Sequence, residues 1–138
     1  MTIIESKATI NKPVSEVYSF LMDLDHHQKL MPDNIYNWSS TKDEARFTIQ
    51  NMAKLALKVS NRIENKEITI IPSEKAPFDV ELKWSLMDNG DGTTEAKHII
   101  SADLNMMMKM LASGPLQKLA DHQTIQLKNL LSQPNGNR

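Results

Sequence analysis

The sequence predicts an α+β domain in which two short helices follow a first strand, further antiparallel strands run consecutively, and one long helix ends the chain. Three observations predict it. Between Ile35 and Asp103 apolar residues recur at every second position, the period of a sheet with one covered and one wet face. Asn89-Gly90-Asp91-Gly92 is the strongest hairpin signal in the chain, because both dipeptides tolerate positive φ at a tight turn. After Asp103 the period becomes helical.

Residues 2–10 read as a strand with Ile4, Ala8 and Ile10 on one side. Asn11-Lys12-Pro13 ends it, and Pro13 suits the first turn of a helix over residues 13–22, with Asn11 as its cap. Val14, Val17, Tyr18, Leu21 and Met22 give that helix its apolar face. A second helical piece runs from about Asp25 until Pro32 stops it. In the strands that follow, Ala45, Phe47 and Ile49 face inward, as do Leu55, Leu57, Val59 and Ile63, with Lys54, Lys58 and Arg62 outside. Ile68 and Ile70 continue the face, and Phe78, Val80, Leu82, Trp84 and Leu86 carry the cleanest alternation. Past the hairpin, the strand over residues 93–102 turns Ala96, His98, Ile100 and Ala102 inward. Leu116, Leu119, Ala120, Gln123, Leu127, Leu130 and Leu131 form the stripe of the long helix. Residues 1–133 are expected to make a single domain and residues 134–138 a frayed polar tail.

This gives seven strands with one face to cover, and only the last helix is long enough to cover it. A helix of ~28 residues spans about 42 Å but is only ~10 Å wide. It cannot fill the hollow of a curved sheet by itself. The remaining space is either filled by bulky side chains or left as a cavity.

The 138 residues are 40% apolar and 24% charged, with a net charge of −1, and no segment collects the basic residues that nucleic-acid binding needs. Cysteine is absent, which rules out disulfides, zinc–thiolate sites and cysteine nucleophiles, and makes the cytoplasm the expected location. The opening residues lack the pattern of a signal peptide. No apolar run approaches the ~20 residues of a membrane span.

The opening N-K-P-V-S-E-V-Y-S-F-L-M-D-L-D-H-H-Q-K-L-M-P and the late G-P-L-Q-K-L, set in this order of elements, resemble the polyketide cyclase/START-like (SRPBCC, birch-allergen-like) superfamily. Pro13, Val17, Tyr18, Leu21 and Asp23 carry the likeness to the family's opening motif. The resemblance implies a helix-grip fold, a curved antiparallel sheet wrapped around the last helix over a deep apolar cavity. It also implies binding of lipids, sterols, quinones, plant hormones or polyketides, with cyclase or hydrolase activity in some members. It supplies no family-wide catalytic residue.

The stretch L-N-M-M-M-K-M-L-A-S-G-P-L, residues 104–116, holds four of the nine methionines. In the resemblance the start of the last helix borders the cavity mouth, where unbranched Met side chains repack around guests of differing shape. The helical repeat cannot aim all four one way, and Met107 with Met110 or Leu111 is expected to face inward. Pro115 should bend the helix there, or else Ser113 caps a new one. Either leaves residues 104–114 free to act as a gate.

His98 is an inward histidine: a hydrogen-bonded core residue, or a cavity group that orients a ligand or serves as a general base. Asn51 and Asn61 read as turn residues, Trp84 as inward and Trp38 as ambiguous. His26 and His27 lack the spacing of a metal site, and His27 reads as a solvated residue on a connecting segment. No triad, P-loop or dinucleotide motif is present, and no cofactor or metal is expected.

The reading favoured is binding or transport of a small hydrophobic molecule between sheet and helix. Its lining is expected from His98, Trp84, Phe47, Leu57, Val80, Leu82, Ile100, Met107, Met110 and Leu111. The alternatives are a cyclase or dehydratase acting on a polyketide-like substrate, with His98 as its catalytic group, and an interaction module whose Met-rich helix start contacts a protein partner or a membrane quinone pathway. A second copy, as a homodimer, is a further candidate partner.

Overall fold

In a computed structural model of the protein, residues 1–132 are described. The alternating stretches fold as one seven-stranded antiparallel sheet ordered β1-β7-β6-β5-β4-β3-β2. Its strands are β1 (Thr2–Ile10), β2 (Ile35–Ser40), β3 (Glu44–Ile49), β4 (Ala53–Ile63), β5 (Glu67–Pro72), β6 (Val80–Asp88) and β7 (Thr94–Ala102). Helix α1 (Val14–Leu21) and a 3₁₀ segment (Leu24–Leu30) lie between β1 and β2, and α2 (Met106–Leu131) follows β7. The predicted seven-stranded sheet, long terminal helix and pair of early helices are all present. The expected polar tail, 134–138, lies outside the described residues.

The Asn89–Gly92 turn joins β6 to β7 as expected, with Gly90 and Gly92 at φ of 82° and 86°. Asn51 (φ 63°) likewise serves the β3–β4 turn, where its short polar side chain tolerates the left-handed region. The helix starts differ in detail from the prediction. Pro13, not Asn11, holds the cap position of α1, with no side-chain hydrogen bond. At α2 the Asn105 side chain accepts from the Met108 N–H at 2.8 Å. Of the two forms expected for the Gly114–Pro115 break, the new start at Ser113 does not occur: α2 runs through it as one helix with Pro115 inside.

Two bulges depart from simple alternation. In β4, Val59 pairs with Ile70 and Asn61 with Thr69, so Ser60 is an extra residue. An inserted residue reverses which side chains face in. Ile63, expected inside, is therefore 42% exposed, and Arg62, expected outside, turns inward. Its guanidinium donates to the carbonyls of Met22 and Lys42 and pairs with Asp43 at 2.8 Å, tying the end of α1 to the β2–β3 turn. Asn61, placed at a turn by the sequence, lies inside β4 and is exposed. In β2 the register shifts between Tyr36 and Ser39 around the left-handed Asn37. There Trp38 stacks on Phe47, ring centroids 5.2 Å apart.

The core forms two clusters. The larger gathers Ile10, Val17, Leu21, Leu24, Leu30, Phe47, Ile68, Trp84 and Leu127 around the 3₁₀ segment. The smaller holds Ile4, Phe78, Val80, Ile100, Ala112, Leu116 and Leu119 under the middle of α2. Helix and sheet are also joined by polar contacts to β1. Gln117 donates to the Glu5 carbonyl at 3.0 Å, and the Thr124 and Ser6 hydroxyls meet at 2.8 Å.

Candidate functional site

The site is built from the sheet upward. Trp84 on β6 and His98 on β7 are directly paired across the strands. Their rings stack with centroids 4.2 Å apart and planes within 3°, which fixes the imidazole flat against the indole. Above them Gln123 descends from α2, and His27 enters from the 3₁₀ segment. That segment has three residues per turn, so Leu24, His27 and Leu30 fall on one face, and all three are buried. The sequence reading of His27 as a solvated residue is therefore corrected: it is 4% exposed. At a period of 3.6 positions 24, 27 and 30 drift around the helix, whereas a period of three stacks them in one row.

These groups surround a narrow hollow of about 30 Å³, room for about one or two water molecules. Of the two outcomes left open for the concavity, filling by bulky side chains dominates. His98, Trp84, Phe47, Leu57 and Leu82 line the hollow, joined by His27, Met31, Trp38, Leu119 and Gln123. Val80 and Ile100 do not reach it and pack in the smaller core cluster instead. The expected inward turn of Met107, Met110 and Leu111 does not occur: they are 71%, 81% and 72% exposed. Asn105 caps α2 in a rotation that turns Met108 toward the core and leaves these three on the outer face. A larger recess of about 630 Å³ lies outside the sheet, among Lys12, Phe20, His26 and Leu130. It is an open groove and contains none of the orphaned polar atoms described next.

The chemistry of the hollow lies in unmet hydrogen bonds. Both ring nitrogens of His98 and the Oε1 of Gln123 are buried without a hydrogen-bond partner among the described residues. The Gln123 amide nitrogen has only the Met31 thioether, at 3.7 Å. Each unmet group costs about 1–3 kcal/mol. Burial pushes the His98 pKa down to about 3, with the nearby His27 adding to the shift. Gln123 pulls weakly the other way, although no hydrogen bond closes between the two side chains. Burial likewise lowers His27 to about 4, opposed by the bond that its Nε2–H donates to the Leu21 carbonyl at 2.7 Å. Both imidazoles are neutral at pH 7, and each therefore offers one donor and one acceptor. His26 turns away, stacking on Phe20 and meeting the Phe20 carbonyl.

The curled sheet gripping a long terminal helix is the helix-grip fold. No family model and no curated protein matches the sequence. Solved structures do match over almost the whole chain. It is similar to a START superfamily protein from Mycobacterium smegmatis, with 17% identity, a TM-score of 0.65 and coverage of 93% of this chain and 98% of the other. XoxI from Bacillus cereus aligns at 9% identity and a TM-score of 0.76, over 95% and 96% of the two chains. The Aha1 dimer from Colwellia psychrerythraea aligns at 18% identity and 0.68, over 99% and 100%. At such identities the likeness is one of fold. Among the described residues no helix is long and apolar enough to cross a membrane.

Proposed function

We propose that the protein binds a small, predominantly apolar molecule between its sheet and α2, and that it acts as a cytoplasmic carrier or sequestering module. The observation that carries this reading is His98, fully buried beneath the helix with neither nitrogen satisfied. A core histidine retained only for packing is ordinarily hydrogen-bonded. An unmet one, stacked rigidly at the floor of an apolar hollow, is poised to meet a guest's polar group. The START superfamily likeness is in keeping with this. A catalytic role is less well supported, because general acids and bases work best with pKa values near the working pH, and burial takes both histidines well below it.

The 30 Å³ hollow accepts a polar head as it stands; the apolar body of a ligand, which needs roughly 300 Å³ or more, enters by displacing side chains. The first half of α2 is the part able to yield. Pro115 offers no N–H to the Leu111 carbonyl, and Gly114 has nothing within 4 Å of where a Cβ would stand. Native mass spectrometry of protein purified from its own source, followed by solvent extraction, tests the reading. The expected result is a co-purifying apolar molecule whose re-addition changes hydrogen-exchange protection across residues 104–114. A bare protein mass, with unchanged protection when the source's lipid extract is added, overturns it.

A second reading rests on a different observation. Met106, Met107, Met110 and Leu111 together expose a large apolar surface at the start of α2, which suits contact with a protein partner or a second copy.

A further inference from the structure

The orphaned atoms also restrict the ligand's chemistry, an inference that rests on the hollow being a binding site. We propose that the ligand carries a neutral hydroxyl, as an alcohol or phenol, and binds with that group seated between His98 and Gln123. The unmet donors and acceptors decide which group fits. A neutral imidazole presents one N–H and one lone pair, and neither is used by His98; Gln123 adds an unused carbonyl oxygen. Counted by its wholly unpartnered atoms, with the Gln123 amide nitrogen turned to the Met31 thioether, the floor of the hollow offers one donor and two acceptors.

A ketone, ester or ether oxygen accepts only. It would engage the His98 N–H and leave both acceptors buried and unmet. A carboxylate accepts only and brings a charge into an apolar enclosure. Burial keeps His98 neutral down to about pH 3, so the imidazole does not supply the countercharge. A hydrocarbon satisfies none of the three atoms. A hydroxyl donates once and accepts as well, so it takes the His98 N–H and one of the two acceptors together. Its size fits a 30 Å³ space, and the stack on Trp84 holds the imidazole edge in place for it.

The test uses the full chain and four probes of nearly equal shape: phenol, toluene, benzaldehyde and benzoate. Binding is followed at pH 7.5 by calorimetry and by the ¹⁵N resonances of the His98 ring. Phenol should bind at least about fivefold more tightly than the other three, the effect of one buried hydrogen bond gained and one orphan relieved. It should shift the His98 ring nitrogen that carries the proton, a shift absent with toluene. In His98→Phe, phenol's advantage over toluene should vanish while toluene still binds, and Gln123→Leu should reduce that advantage in part. Equal binding of phenol and toluene, or preference for benzoate or benzaldehyde, overturns the hydroxyl assignment and leaves the hollow as a binding site. Failure of all four probes to bind overturns the site itself. The wild-type ranking decides the matter even if a variant does not fold.

Discussion

The two halves of α2 are held very differently, and the half denser in apolar residues is the looser one. After Pro115 the helix buries Leu116, Leu119, Ala120, Gln123, Thr124 and Leu127 against the sheet. Before it, only Ala112 is buried, while Met106, Met107, Met110 and Leu111 stand 71–81% exposed. The contrast teaches that apolar content does not fix a helix in place; what matters is whether its stripe faces the sheet. The second half is a structural wall of the hollow. The first half is attached mainly through Ala112 and the half-buried Met108 and Leu104, the condition under which a segment opens at low cost.

The largest expected effect breaks the contrast if it fails. Leu127→Ala removes a side chain with no exposure and should cost about 2–5 kcal/mol in urea unfolding. Met110→Ala should stay within about 0.5 kcal/mol. Comparable losses at the two positions would mean that the first half is packed after all.

Acid probes the wall from inside. Above their ordinary pKa of 6.5, His27 and His98 are neutral in folded and unfolded chains alike, and they contribute no pH dependence. As pH falls below 6.5 the unfolded chain takes up protons that the folded one refuses until about pH 4 and 3 respectively. Stability therefore falls with pH across that window. At about pH 5.5 the loss should be roughly 1 kcal/mol for each histidine. Thermal unfolding of His98→Phe should show a shallower pH slope than wild type, and an identical slope would contradict the buried neutral state.

The smallest effect sharpens the contrast. Pro115→Ala restores an N–H for the Leu111 carbonyl and should stabilise α2 by only part of the about 3 kcal/mol that proline costs inside a firmly held helix, because the segment before it is loosely attached. Its signature is local: slower hydrogen exchange across residues 106–114, with little change after 116. A uniform change along the helix would remove the hinge.

The sheet was legible in the sequence because a period of two is a direct image of a surface with one covered face. Phe47, Leu57, Trp84 and His98 were placed correctly on that ground alone. What escaped were the places where the period slips. Ser60 and Asn37 add residues to strands, and no local pattern distinguishes an inserted residue from a paired one until the partner strand is known. Ile63 and Arg62 were exchanged for that reason. His27 escapes a sequence reading because a single short 3₁₀ segment leaves only Leu24 and Leu30 to mark its buried face. Gln123 was seen as part of the stripe, but its role depends on His98, on an element far away in sequence. The Met-rich start was misjudged because a run apolar on nearly every side carries no phase, and the Asn105 cap sets its rotation.

The two rims of the sheet bear on how the molecule behaves when crowded. An outermost strand ordinarily invites a neighbouring chain to add another, since its backbone groups face solvent in register. β2, at one rim, buckles at Asn37 and cannot present a straight row. β1, at the other, already lends the carbonyl of Glu5 to Gln117, so an incoming strand meets a blocked docking point. A contact that looks like simple helix anchoring thus also discourages fibril-like growth from the longer rim.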